Sequence, residues 1–215
     1  MTSSQYPHDV SLPRTFPLAP AGYALGASGV LGVAAGVFTL AWPHDESVPA
    51  DQWSYPFSVT LQHWLSGALG VTHLLTVVGV VGLLAMNAHH GSRAGRVGLL
   101  MAASGLALLA GCEWVGGSIA DQAMTSTAAN RLNVAFGLAS ILVIAGCLVA
   151  GSVILRRSPG PRWATSMLLA SGLVFLLLVT PANFTNEAAL RMPALMLWSL
   201  CFVPLGIWMA KEGQS

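Results

Sequence analysis

The chain has 215 residues, of which 54% are apolar and only 8% are charged, whereas roughly a quarter of the residues of a soluble domain carry charge. So little charge cannot cover the surface of a soluble protein, and we expect lipid to solvate most of it. The net charge of +1 argues against nucleic acid as a partner, because nucleic-acid binding needs a basic face.

The first segment of the chain, residues 1–21, is rich in proline. Pro7, Pro13, Pro17 and Pro20 interrupt a helix there and predict an extended arm. Six apolar stretches follow, each close to the roughly 20 residues that a helix needs to cross a bilayer. They are residues 22–42, 58–86, 97–120, 132–155, 163–181 and 188–210. The sequence therefore predicts an all-α bundle of six transmembrane helices over residues 22–210, with a short polar tail over residues 211–215.

The charges of the loops predict how this bundle sits in the membrane. The loops after the second and fourth stretches are basic, whereas the loop after the first contains Asp45, Glu46 and Asp51. Basic residues in short loops stay in the cytoplasm, so both termini are predicted to be cytoplasmic. The single lysine, Lys211, and the heavy use of alanine and glycine indicate a high-GC bacterial genome. The expected location is therefore the bacterial cell membrane.

Small residues recur along one face of two helices. Gly22, Gly26, Gly29 and Gly36 share a face of the first stretch, and a similar row runs from Gly98 to Gly116 in the third. Residues this small let helix backbones approach closely in lipid. We predict that these faces are helix-contact seams, where a membrane-protein partner or a second copy of the chain can also pack.

Polar residues within the apolar stretches gather on the side that the topology places outside. An ionisable residue in a membrane is costly and is therefore a candidate for function. Glu113 is the strongest candidate, because about a turn of apolar helix lies beyond it. We predict a pocket in the outer leaflet in which Arg131 or Arg191 pairs with Glu113 and offers a guanidinium fork to a phosphate or carboxylate. The predicted ligand-binding residues are His63, Glu113, Arg131, Asn133, Glu187 and Arg191.

Other interpretations of these residues stay open. Glu187 and Arg191 lie four residues apart and can pair with each other first. The polar side chains can also be ordinary interfacial residues that reach the lipid headgroups beside Trp64 and Trp114. His73, near mid-depth, is expected to be a buried, neutral, hydrogen-bonded histidine.

No cofactor and no metal are predicted. His63 and His73 lie about 15 Å apart along one helix and cannot ligate one haem iron, and no other span supplies a second histidine. Haem would then need a methionine ligand such as Met101 or Met196. The sequence also lacks the spacings of zinc sites and the Gly-x-Ser-x-Gly turn of serine hydrolases. No catalytic residue can be named.

Two short segments carry a resemblance to known proteins. They are Trp53-Ser54-Tyr55-Pro56-Phe57, which leads into the second stretch, and the opening of the sixth stretch from Arg191 to Trp198. They resemble segments of uncharacterised six-helix integral membrane proteins of actinobacteria that contain a domain of unknown function. The resemblance implies a six-helix fold in a membrane and carries no activity with it.

Three functions from different classes are compatible with this sequence. The first is a non-enzymatic binding protein or small transporter that recognises a lipid headgroup or a small polar solute in the outer pocket. The second is an accessory or scaffold subunit that packs into a larger membrane complex through the glycine faces. The third is a membrane-embedded enzyme that acts on lipid or quinone substrates.

Overall fold

A computed structural model describes residues 17–157, 160–185 and 188–214, and the regular structure of this part is helical apart from one isolated β-bridge. Six helical stretches of it are long and apolar enough to cross a membrane, as the sequence predicts. The first four are the continuous helices α1 (Leu18–Ala41), α2 (Val59–Ala85), α3 (Arg93–Ser118) and α4 (Thr127–Arg157). The fifth comprises α5 (Arg162–Thr165), α6 (Met167–Val174), a π-helical segment (Phe175–Val179) and α7 (Thr180–Asn183). The sixth comprises α8 (Ala188–Leu200) and α9 (Phe202–Glu212).

The helix ends differ from the predicted ones for local reasons. α1 begins at Leu18 rather than at residue 22, because Pro20 lies in the first turn, where a backbone N–H has no helical partner to lose. The sixth span breaks at Cys201, since Pro204 has no N–H to offer the carbonyl of Leu200. The part of the predicted arm before residue 17 lies outside the described residues.

The six spans pack as a ring in chain order. α1 packs on α2, α2 on α3, α3 on α4, and α4 on α6, and the ring closes where α1 packs against α8 and α9. The fifth and sixth spans also contact each other, through the π-helical segment with α8 and through α6 with α9. Buried side chains from all of these spans fill the middle with one apolar core, among them Leu25, Leu83, Leu106, Val143 and Leu205.

The glycine seams face helices of the same chain. A Cβ atom at Gly98 would lie 2.7 Å from the Ala150 amide nitrogen, and one at Gly22 would lie 2.7 Å from the Gly206 carbonyl oxygen. Only glycine allows backbones to approach this closely. The seams therefore join α3 to α4 and α1 to α9, and the contact with a partner stays a prediction.

The two ends of the bundle differ in charge. The acidic end, where α1 finishes and α2 begins, carries Asp45, Glu46, Asp51 and Asp121. The basic end, where α2 finishes and α3 begins, carries Arg93, Arg96, Arg156, Arg157, Arg162 and Lys211. At the acidic end two loops are joined, because Trp53 N donates to the Gln122 carbonyl at 2.8 Å and Met124 N donates to the Asp51 carbonyl at 2.7 Å.

Candidate polar site between α2, α3 and α8

Three helices bring ionisable side chains together in the interior of the bundle. His73 lies at the middle of α2, Glu113 near the end of α3, and Arg191 in the first turn of α8. His73 Nε2 lies 3.9 Å from Glu113 Oε1, and the two side chains are only 12% and 19% exposed. The Glu113 carboxylate is also close enough to Arg191 to act on its charge. We call these three residues and Trp198 of α8 the polar site.

The antiparallel packing of α2 and α3 makes His73 and Glu113 meet. Side chains lean toward the N-terminus of their own helix, so the two residues lean toward each other from opposite directions. Contacts nearer the acidic end hold this register. Trp114 Nε1 donates to the Gly67 carbonyl at 3.4 Å, and His63 Nδ1 lies 3.4 Å from the Gly117 carbonyl oxygen.

The polar site has one negative group for two groups that can be positive. Glu113 can neutralise Arg191 or a protonated His73, but a single carboxylate cannot balance both. An unbalanced charge costs about 2.5–3.5 kcal/mol at the centre of a membrane-spanning helix on insertion scales, which is the depth of His73. Arg191 lies nearer the membrane surface, in the first turn of α8. A second negative charge, brought by a ligand, would complete the balance.

Trp198 places an aromatic wall beside these charges. It lies seven residues after Arg191 and so on the same face of α8, and it is only 4% exposed. Its ring packs edge-on against Phe175 and Phe202, with centroids 5.1 Å and 5.2 Å away, and lies 6.1 Å from the His73 ring. Phe175 opens the π-helical segment, a kind of helix defect that is frequent at functional sites.

Two buried hydrogen-bond donors of the polar site have no acceptor within residues 17–157, 160–185 and 188–214. Arg191 Nε and Trp198 Nε1 are both buried and make no hydrogen bond. Leaving a buried donor unsatisfied costs about 1–3 kcal/mol. Both groups donate and neither accepts, so a group with acceptor atoms, such as oxygens, would satisfy them.

The structure brings together some of the predicted site residues and separates others. Glu113 and Arg191 belong to the polar site, whereas His63 is exposed and contacts Gly117. Arg131 and Asn133 are exposed on α4, and within the described ranges no ion pair joins Arg131 to Glu113. Glu187, and with it the predicted pairing to Arg191, lies outside the described residues.

His73 and Trp198 are absent from the predicted set of site residues. Both stand out in the sequence as the polar side chains placed deepest in their apolar stretches, which is the signal that could have found them. His73 is expected to be buried, neutral and hydrogen-bonded; its side chain is 12% exposed and lies 3.9 Å from Glu113, and its neutral state stays a prediction.

The residues that the structure describes contain no group of three or more side chains able to hold a metal ion. One surface depression lies between α2 and α3 at the basic end and another along α1 and α9, and Glu113 lines neither.

Comparisons of the chain with protein-family models, with curated proteins and with solved structures find no match. Function is therefore inferred from the chemistry of the side chains in the polar site, since a fold by itself does not specify an activity.

Proposed function

We propose that this chain is a multi-pass protein of the bacterial cell membrane that binds an oxygen-rich anionic group in the polar site. The group is carried by a lipid headgroup or by a small polar solute. One observation carries the proposal: Arg191 and Trp198 present buried N–H donors on one face of α8, and neither has an acceptor among the residues that the structure describes. In the proposed orientation the basic end and both termini are cytoplasmic, as loop charges favour, and the polar site belongs to the outer half of the membrane.

The charges around the donors favour an anion over a neutral ligand. Arg191 offers a planar fork that suits a carboxylate or a phosphate. Glu113 offsets part of this positive charge, and a protonated His73 would add to it. A ligand with several acceptor oxygens can accept hydrogen bonds from both Arg191 and Trp198. Its one negative charge, together with that of Glu113, balances the positive charges of Arg191 and a protonated His73.

A second candidate function, an enzyme acting on a lipid or a quinone, is favoured by the His73–Glu113 pair. A histidine 3.9 Å from a carboxylate can hold a proton beside an oxygen of a bound substrate. Unchanged lipid and quinone profiles in membranes of a deletion strain would contradict this candidate. The scaffold alternative gains nothing from the glycine seams, because those faces already pack within the chain.

The binding proposal is tested by the small molecules and lipids that stay with the protein after gentle extraction. We would compare the unmodified chain with Arg191→Gln and with Trp198→Phe, which keeps the ring and removes the N–H. Arg131→Gln is the matched control, since it removes an exposed arginine on α4. We expect native mass spectra to show a bound species that both site variants lose and the control keeps. Equal ligand content in all four proteins would overturn the proposal.

A further inference from the structure

The turn that joins α2 to α3 at the basic end directs a histidine into the protein. Asn87, His90 and Gly91 have positive φ angles of 54°, 46° and 72°, and the Asn87 side chain accepts a hydrogen bond from Gly91 N at 3.3 Å. Backbone in this left-handed region reverses direction within a few residues. His89 is thereby only 9% exposed, whereas His90 next to it is exposed.

His89 is held against the first turn of α3 with part of its ring unsatisfied. A Cβ atom at Gly95 would lie 2.8 Å from the Cβ of His89, so the histidine can pack here only because residue 95 is glycine. His89 Nδ1 is buried without a hydrogen-bond partner. Burial, followed by the positive charges of Arg96 and His90, lowers the pKa of His89. The described residues therefore bury the His89 ring close to a second basic side chain, Arg96, and leave one of its nitrogens without a hydrogen-bond partner.

Beside His89 the surface has a depression of about 470 Å³ whose lining is mostly apolar, with two polar side chains. Its walls are the apolar side chains of Val81, Leu84, Ala85 and Leu100, and its polar lining comes from His89 and Arg96. The apolar walls belong to the membrane-spanning parts of α2 and α3, and Arg96 lies in the first turn of α3. Along the helix axes the depression thus runs from an apolar groove to a basic opening at Arg96, which we call its mouth.

The helix charges at this mouth call for an anion. The first turn of α3 contains Arg93 and Arg96 and no acidic residue, although the N-terminus of a helix carries a partial positive charge. Cations are unfavourable at this position unless a negative group lies between them. A phosphate there would be attracted by the helix terminus, by Arg96 and by His89 together.

We propose that this groove binds one anionic phospholipid of the leaflet at the basic end. An acyl chain lies against Val81, Leu84 and Leu100, and the phosphate lies between Arg96 and His89. The apolar walls favour a lipid over free phosphate, since inorganic phosphate gains nothing from them. The site lies at the opposite end of the bundle from the polar site and does not depend on what that site binds.

Lipid titration with native mass spectrometry tests this site, using phosphatidylglycerol and phosphatidylcholine with identical acyl chains. We expect the unmodified chain to retain phosphatidylglycerol preferentially. Arg96→Gln should weaken that retention about fivefold, the effect of one basic residue near an anionic headgroup. Arg157→Gln, which removes an exposed charge at the same end on α4, should leave the retention unchanged. Ala85→Trp should fill the groove and reduce retention, whereas Ala94→Trp, outside the groove, should not.

A second measurement needs no variant and so does not depend on folding. In the unmodified chain, phosphatidylglycerol should raise the pKa of His89, measured by NMR of the imidazole, because the phosphate favours the charged ring. Phosphatidylcholine and inorganic phosphate should leave it where it is. Equal retention of the two lipids, an equal loss in Arg157→Gln, or the same NMR response to inorganic phosphate would overturn the proposal.

Discussion

His73 Nε2 and Glu113 Oε1 lie 3.9 Å apart across the contact between α2 and α3, inside the membrane-spanning part of the bundle. This distance is longer than that of a hydrogen bond, and the two groups form an ion pair only when the imidazole carries a second proton. Glu113 is also near enough to Arg191 for their charges to attract each other, although the described residues contain no ion pair between these two side chains. The pair therefore contributes to holding α2 and α3 in register, and it would set the charge that the proposed ligand meets.

Removing either member of this pair should destabilise the fold, and the two effects should not add. We expect Glu113→Gln to cost about 2 kcal/mol, below the roughly 3–5 kcal/mol of a fully buried pair, because both side chains keep some exposure. The double variant with His73→Gln should show a coupling energy of about 1 kcal/mol in reversible unfolding in mixed micelles. Arg131→Gln is the control: it removes an exposed side chain on α4, and its effect should add to that of Glu113→Gln.

The close approach of α3 and α4 at Gly98 should tolerate no side chain. Gly98→Ala places a methyl group 2.7 Å from the Ala150 amide nitrogen, and backbone cannot move aside as a flexible side chain does. We expect a loss of about 1–3 kcal/mol of stability, the usual cost of overpacking.

Gly137→Ala is the matched control for this substitution. A Cβ atom at Gly137 would have no atom within 4 Å, so the change should stabilise α4 by about 0.5–1 kcal/mol through its helix preference. Equal unfolding midpoints for Gly98→Ala and Gly137→Ala would contradict the close packing of α3 and α4 at Gly98.

Much of this fold could be predicted from the sequence, because a helix that crosses a bilayer needs a long apolar stretch and this chain has six. The ends could not. α4 runs from Thr127 to Arg157, beyond the predicted residues 132–155, because polar residues continue a helix once it leaves the apolar layer. A hydropathy pattern marks where lipid ends and not where hydrogen bonding ends.

The polar site could be predicted only in part, for a related reason. Glu113 and Arg191 were foreseen, since charges are rare in apolar stretches. The sequence does not say which helices are neighbours, and the ring places α8 near α2, which brings Trp198 beside His73. Arg131 and Arg191 are both arginines near the end of an apolar stretch, but Arg131 is exposed on α4. Their positions in the sequence do not show which of the two lies beside Glu113.

Acidification should destabilise the protein through His89. Its pKa is lowered in the folded state by burial and by the charges of Arg96 and His90, so the unfolded chain takes up a proton at a higher pH than the folded chain. Stability should therefore fall as the pH drops below the ordinary histidine value of 6.5. Unfolding midpoints at about pH 7.5 and about pH 5.5 check this. His89→Gln should reduce the difference, while His44→Gln, which alters an exposed loop histidine, should preserve it.

The proposed orientation makes the acidic end accessible from outside the cell. Cysteines introduced at Ser47 and at Ala94 probe the acidic and basic ends, and the three native cysteines, Cys112, Cys147 and Cys201, are buried. We expect a membrane-impermeant maleimide to label Ser47→Cys in intact cells and Ala94→Cys only after lysis. The reverse pattern would show that the basic end faces outward, against the loop-charge rule.

The most direct measurement of the central claim follows the indole N–H of Trp198, which has no acceptor in the described part of the chain. Its ¹⁵N–¹H resonance would be assigned with Trp198→Phe and recorded with native lipid extract present and after delipidation. With the extract present, we expect the Trp198 indole N–H to have the chemical shift of a hydrogen-bonded group, and we expect this shift to change on delipidation. The hydrogen-bonded shift should be absent in Arg191→Gln and present in Arg131→Gln. A Trp198 resonance that is the same in all of these samples would contradict a ligand at the polar site.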